Sequence, residues 1–81
     1  MQIKVRLFSI LKEIAGKGDC EILLPKGTSS EEALICLKTI FQFPSAILEK
    51  CLMAVNGVYL SETSILQEGD ELALLPPVSG G

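Results

Sequence analysis

The chain has 81 residues, of which 48 % are hydrophobic, and seven basic against ten acidic residues give it a net charge of −3. A domain of this size buries only about 60 to 65 % of its unfolded surface, so we expect one small packed domain without a deep pocket. The basic residues are scattered between Lys4 and Lys50, which argues against binding of nucleic acid or of an anionic membrane. No apolar run approaches the roughly 20 residues that span a bilayer, and no signal-peptide pattern opens the chain, so we expect a cytoplasmic protein.

The cysteines at positions 20, 36 and 51 predict no special chemistry. A disulfide framework requires an even number of cysteines, and a zinc or iron–sulfur site requires close pairs such as CxxC, which the sequence lacks. Each cysteine has apolar neighbours. We therefore expect small buried hydrophobic side chains and no metal site.

The first part of the chain predicts two strands separated by a short helix. Residues 2–8 alternate apolar and polar, which places Ile3, Val5 and Leu7 on one face, as a half-buried strand requires. The elements predicted next are a helix over residues 9–15, ended by Gly16, and a strand over residues 20–24, ended by Pro25.

A longer helix is predicted to begin near Ser29. The pairs Thr28 with Glu31 and Ser29 with Glu32 both have capping-box spacing, in which a hydroxyl accepts a backbone N–H bond and the glutamate reaches back to the cap. The apolar residues that follow recur at helical spacing and form one stripe: Ala33, Leu34, Leu37, Ile40 and Phe41. Such a stripe needs a sheet to cover it.

The rest of the chain predicts three more strands and a tail. Pro44 ends the helical region, and the elements that follow are a helical turn over 45–51, strands over 52–55, 58–60 and 71–75, and turns at Asn56-Gly57 and Gly69-Asp70. This order is typical of an α+β layer pair, in which a mixed sheet carries the main helix on one face. We expect one domain over residues 1–75 and a flexible tail over residues 76–81.

The tail reads Pro76-Pro77-Val78-Ser79-Gly80-Gly81, and we expect it to project from the domain. Prolines lack N–H donors and fix φ, so they end the sheet and start an extended segment. Six extended residues reach at most about 20 Å, which is enough to enter the active site of another protein. Glycines lack a Cβ and can pass through a narrow channel. The plain alternative is a frayed terminus.

The carboxylate of Gly81 is the candidate reactive group. It is ionised at neutral pH and is a poor electrophile, so a separate enzyme must activate it. The chain itself predicts no catalytic site, because it has no histidine, its cysteines lack a base partner, and neither GxxxxGK[ST] nor GxGxxG occurs. We therefore expect a carrier and not an enzyme.

The segment from Gly69 to Gly81 resembles the closing signature of the small subunit of molybdopterin synthase, the MoaD family of sulfur carriers. Supporting matches run along the whole chain: Ile3-Lys4-Val5 with Phe8, Lys12-Glu13 with Gly16, and Ala54-Val55-Asn56 before a turn. The resemblance implies a ubiquitin-like β-grasp fold, in which the first and last strands lie parallel at the centre of the sheet. Periodicity alone does not establish that pairing.

The resemblance also implies a cycle carried out by partner enzymes. An E1-like enzyme uses ATP to adenylate Gly81, forming a transient glycyl-AMP, and a sulfur donor converts it to a thiocarboxylate. The tail then enters the large subunit of molybdopterin synthase, where sulfur passes to precursor Z (cyclic pyranopterin monophosphate) to build the dithiolene of molybdopterin. The family implies a heterotetramer with two carriers on a large-subunit dimer. Nucleotide binding belongs to the activation step, and no permanently bound cofactor is implied.

Strand alternation predicts where the domain docks. Phe8 and Leu75 are out of phase with the inward-facing residues of the first and last strands, and Tyr59 follows a turn on a strand that the pattern leaves exposed. We predict an apolar patch of Phe8, Tyr59 and Leu75 beside the tail as the centre of the docking surface. The alternative is that these residues pack against loops of their own chain.

Three other functions stay open on the sequence. The thiamine-pathway sulfur carrier also ends in Gly-Gly, although that family is generally shorter and lacks the Pro-Pro-Val-Ser segment. A ubiquitin-like protein modifier would join Gly81 to a lysine through an isopeptide bond. A non-covalent β-grasp binding module would function without Gly80 and Gly81.

Overall fold

The computed structural model describes residues 1–77, which form a five-stranded sheet and three helices. In chain order the elements are β1 (Gln2–Leu7), α1 (Ser9–Ala15), β2 (Asp19–Leu23), α2 (Ser30–Phe41), α3 (Ser45–Leu48), β3 (Leu52–Val55), β4 (Val58–Tyr59) and β5 (Glu71–Leu75). The predicted order of elements is confirmed. Strand β2 begins and ends one residue earlier than predicted, and β4 is one residue shorter.

The strands lie in the order β2-β1-β5-β3-β4. Strands β1 and β5 are parallel at the centre, with a register that runs from Lys4 opposite Glu71 to Leu7 opposite Leu74. The outer pairs β1 with β2, β5 with β3 and β3 with β4 are antiparallel. This arrangement confirms the predicted α+β class and its parallel central pair.

The hydrophobic core lies on the side of the sheet that α2 covers. Alternation along the two central strands turns Ile3, Val5, Leu72 and Leu74 inward, and none of these side chains has exposed surface. The helices and loops add further buried residues to this cluster: Leu11, Leu24, Ala33, Leu37, Phe43, Leu48 and Leu66. Burial of one large aliphatic side chain contributes about 1.5 to 3 kcal/mol of transfer free energy. The alternate residues of the strands form the opposite side, which we call the open face.

The apolar stripe predicted for α2 is right at Ala33 and Leu37 and wrong at Ile40. Ile40 is about half exposed, whereas Phe43, beyond the end of the helix, is buried. The reason is the left-handed residue Gln42, whose φ of 58° turns the chain back so that the N–H of Phe43 donates to the carbonyl of Lys38 at 3.2 Å. Phe43 can then pack beneath the last turn of the helix, a reversal that periodicity does not reveal.

At the start of α2, only one of the two capping boxes that the sequence allows is formed. Ser29 Oγ accepts a hydrogen bond from the Glu32 N–H at 3.1 Å, and the Ser29 N–H donates to Glu32 Oε1 at 3.1 Å. Thr28 does not form the other box, because its hydroxyl donates to the carbonyl of Pro25 at 2.6 Å. The hydrogen bond that the Ser29 N–H donates to the Glu32 carboxylate is the main reason why the pKa of that carboxyl is below its usual value of 4.5, and the Ser29 side chain adds to the effect.

Replacing Ser29 with alanine removes the acceptor at the start of α2 and should lower the free energy of unfolding by about 1 kcal/mol. Urea unfolding followed by far-ultraviolet circular dichroism measures this change. Glu31→Ala is the matched control, since Glu31 lies in the same turn outside the box, and it should stay within about 0.5 kcal/mol of the wild type. Equal losses in the two variants would contradict the assignment.

The capping box also predicts how stability responds to acid. Because the pKa of Glu32 is lowered on folding, its contribution is present above the unfolded value of 4.5 and is lost as the pH falls through the folded value. The stability difference between the wild type and Glu32→Ala should therefore shrink on acidification. Unfolding measured at neutral pH and below the folded pKa tests this, and a constant difference would be the contrary result.

Candidate functional site

The end of β5 fixes where the tail leaves the domain. Leu75, the last residue of β5, lies opposite Leu52 of β3 on one side, and Leu74 lies opposite Leu7 of β1 on the other. Pro76 is half-buried and Pro77 is exposed. Since neither proline can donate a backbone hydrogen bond, the ladder stops here. The tail therefore starts from the centre of the sheet and not from an edge.

The predicted reacting residue and most of the predicted inserting segment lie outside the described residues. These are Gly81 and the three residues before it, Val78, Ser79 and Gly80. Their role stays a prediction. The structure supplies the position of the segment that leads to them, at Pro76 and Pro77.

The three predicted docking residues lie on the open face. Phe8 continues β1 in an extended conformation, with φ −126° and ψ 156°, one residue beyond the pair of Leu7 with Leu74, which brings it level with Leu75. Tyr59 lies opposite Ala54, which in turn lies opposite Ala73. Directly paired residues share a face, so Tyr59 is on the same side as Leu75. Phe8 is 37 % exposed and Tyr59 is 63 % exposed.

Sequence reasoning missed three members of this surface, Leu52, Ala54 and Ala73, of which Leu52 has the largest side chain. It lies opposite Leu75 and is largely exposed. The pattern could not show this, because Leu52-Met53-Ala54-Val55 is apolar throughout and has no visible alternation. The signal lies in the register with β5, where the inward phase of Leu72 and Leu74 is clear. We call the apolar part of the open face the apolar patch: Phe8, Leu52, Ala54, Tyr59, Ala73 and Leu75.

The other part of the open face is charged, and we call it the charged half: Lys4, Arg6, Asp19, Glu21 and Glu71. Lys4 lies between Glu21 on β2 and Glu71 on β5, and Arg6 lies opposite Asp19. A groove of about 510 Å³ runs over this region. Along β1 and β5 the open face therefore changes from charged to apolar in the direction that leads to the tail, whereas Leu23 of β2 is an exposed apolar residue at the charged end.

None of the three cysteines belongs to the apolar patch, although Cys20 lines the groove over the charged half. All three are free and half-buried, so they are less deeply buried than the sequence predicted. Burial raises the pKa of the Cys20 thiol, with smaller effects from Lys17 and Asp19, and burial alone raises the pKa of the Cys51 thiol. A raised pKa reduces the reactive thiolate at neutral pH, and the Cys51 Sγ donates to the carbonyl of Ile47 at 3.3 Å.

Within residues 1–77, no cluster of three or more His, Cys, Asp or Glu side chains is arranged to hold a metal ion. No helix in this part of the chain combines the length and apolar character needed to cross a bilayer.

The fold and the site together define a ubiquitin-like β-grasp domain that extends a C-terminal segment from the centre of its sheet, beside an apolar patch. A family model described as the ThiS family matches residues 5–81, and the chain belongs to that family.

Three known proteins illustrate the similarity. A molybdopterin synthase sulfur carrier subunit from Dictyostelium discoideum is 42 % identical, with 99 % of this chain and 96 % of that protein covered. The crystal structure of small archaeal modifier protein 1 from Haloferax volcanii has a TM-score of 0.87 and 27 % identity, and both chains are covered completely. A complex of subunits 1 and 2 of molybdopterin-converting factor from Helicobacter pylori gives a TM-score of 0.61 and 27 % identity, again over both chains. The predicted relationship to the sulfur carriers of molybdopterin synthase is confirmed.

Proposed function

We propose that this chain is the sulfur-carrier subunit of a molybdopterin synthase. The observation that carries the proposal is the match, over nearly the whole length of both chains, to a relative of that name at 42 % identity. The ThiS family match through residue 81 includes the tail and is consistent with this function.

In the proposed cycle, Gly81 is the only residue whose covalent state changes. An E1-like enzyme joins the Gly81 carboxylate to AMP and releases pyrophosphate from ATP, which turns a poor electrophile into an acyl adenylate. A sulfur donor then displaces AMP and leaves a thiocarboxylate. The thiocarboxylate sulfur then bonds to precursor Z, and water cleaves its bond to the Gly81 carbonyl, so that the carrier leaves as a carboxylate. A second loaded carrier supplies the second sulfur of the dithiolene in the same way.

The geometry at the end of β5 suits this role. Leu74 is paired with Leu7 of β1 and Leu75 with Leu52 of β3, and the two prolines that follow make the start of the tail stiff. A stiff start at Pro76 and Pro77 would direct the last residues towards a partner's active site while the domain stays outside. The chain supplies position and reach, and we infer that catalysis, ATP and the sulfur source belong to its partners in the cytoplasm.

The apolar patch is the proposed docking surface for the large subunit. It lies beside the start of the tail, and its exposed aromatic and aliphatic side chains are of the kind that anchor protein interfaces. The Helicobacter pylori complex of two subunits of molybdopterin-converting factor supports a large-subunit partner for this fold. The family resemblance alone further implies a heterotetramer of two carriers on a large-subunit dimer.

A second candidate is a ubiquitin-like protein modifier. The similarity to small archaeal modifier protein 1 favours it, because that structure matches over the full length of both chains with a TM-score of 0.87. In this case the Gly81 carbonyl would end in an isopeptide bond to a lysine. Both candidates share the adenylation step and differ in what attacks the activated carbonyl. The thiamine-pathway carrier differs only in the acceptor of the sulfur.

Intact mass spectrometry tests the carrier proposal. The protein incubated with its activating enzyme, ATP and a sulfide source should gain the mass difference between one sulfur and one oxygen atom. The chain that lacks Gly81 should keep its mass under the same conditions. An unchanged wild-type mass, with the activating enzyme shown to be competent on another carrier, would reject the proposal.

A charge placed in the apolar patch should weaken binding to the large subunit. Phe8→Glu and Leu75→Glu each put a carboxylate where the partner would exclude water, and we expect a loss of roughly 30-fold or more in affinity by isothermal titration calorimetry. Ile35→Glu is the matched control, since Ile35 is 60 % exposed but lies on α2, on the opposite side of the sheet. Unchanged binding of both patch variants would show that the docking surface lies elsewhere.

A further inference from the structure

Arg6 lies at the boundary between the charged half and the apolar patch. Its neighbour on β2 is Asp19, and its neighbour on β5 is Ala73, which belongs to the patch. Two residues further along the chain is Phe8, whose ring centroid lies 5.6 Å from the Arg6 guanidinium. The cation therefore rests on an aromatic side chain of the proposed docking surface.

The hydrogen-bonding capacity of Arg6 is largely unused. Its closest ionic contact joins Nη1 to Glu71 Oε1 at 3.8 Å, which is longer than a hydrogen bond, and its side chain is 52 % exposed. Within residues 1–77 no side-chain hydrogen bond to the guanidinium is formed. Ion pairs of this exposed kind contribute little to stability, so the contact with Glu71 does not explain why an arginine stands here.

We propose that Arg6 is the polar anchor of the docking surface and that the partner protein presents a carboxylate to it. The inference rests on the proposed docking through the apolar patch. A partner that covers Phe8 must also remove water from the guanidinium packed against the ring. A buried guanidinium without acceptors is costly, and only an anionic group replaces its hydration and balances its charge.

The planar arrangement of the N–H donors of arginine indicates which chemical group of the partner binds it. Five N–H donors in one plane match the two oxygens of a carboxylate, and such paired bonds are short and directional. Glu71 makes a single distant contact and so leaves most of the fork free. An Asp or Glu side chain next to an apolar pocket for Phe8 is therefore the expected feature of the partner.

Lys4 provides the internal comparison. It lies on the same strand and the same face, but both of its neighbours in the sheet are acidic, Glu21 and Glu71. It lies two residues further from the patch than Arg6, and among residues 1–77 Arg6 is the cation that contacts the Phe8 ring. Removing the charge of Lys4 should therefore leave docking nearly intact, although it changes the net charge of the protein by the same amount.

The test compares Arg6→Met with Lys4→Met in binding to the molybdopterin synthase large subunit, measured by calorimetry at low and high salt. Both substitutions remove one positive charge and keep an unbranched side chain. We expect Arg6→Met to weaken binding by roughly tenfold or more and Lys4→Met by less than about threefold. Arg6→Lys should fall between the wild type and Arg6→Met, because it keeps the charge and loses the fork.

The salt dependence of binding distinguishes an ionic role of Arg6 from simple packing of its side chain on Phe8. The affinity ratio of the wild type to Arg6→Met should decrease at high salt, because screening weakens only the ionic contact. A ratio that does not change with salt would mean that Arg6 acts by packing, and it would overturn the proposal. Equal losses in Arg6→Met and Lys4→Met would overturn it too, since net charge alone would then explain the effect.

If the wild type binds and Arg6→Met binds equally well, only this inference fails, whereas absence of wild-type binding rejects the proposed function itself.

Discussion

The parallel pairing of β1 with β5 is the constraint on which the rest of this structure depends. It joins the beginning of the chain to the last strand, with Leu7 opposite Leu74, and it puts both strands at the centre of the sheet. The inward residues of these two strands form the middle of the core. The same pairing makes the tail leave from the middle of the domain, where Phe8 and Leu75 lie level with one another.

The division of the open face follows from the same register. With Lys4 opposite Glu71, the charged residues of β1 meet those of β2 and β5 at one end, and the apolar residues meet at the end from which the tail departs. Arg6 lies at the junction and contacts both parts, Glu71 by charge and Phe8 by stacking. A partner that binds this face would meet an apolar anchor beside a cation that still has free N–H donors, which would favour one orientation of the tail.

Much of the fold could be predicted from the sequence because its signals are local. The alternation of Ile3, Val5 and Leu7 and the spacing of Ser29 with Glu32 each specify one element and its inward face. Features that depend on long-range contacts could not be predicted. Only the register of β3 with β5 shows that Leu52 lies beside Leu75. Only the left-handed conformation of Gln42 explains why Phe43 is buried in place of Ile40. The proposed role of Gly81 rests on the chemistry of its carboxylate and on the family resemblance, because the domain fixes only where the tail leaves the sheet.

The most direct test of the central claim is to follow the sulfur atom itself. The thiocarboxylate form, made with isotopically labelled sulfide, would be mixed with the large subunit and precursor Z, and the pterin and the chain would each be analysed by mass spectrometry. A sulfur carrier predicts that the label moves to the pterin and that the chain returns with an ordinary carboxylate. Label that never reaches the pterin, with the chain recovered in isopeptide linkage to lysine, would contradict the carrier function and identify a protein modifier.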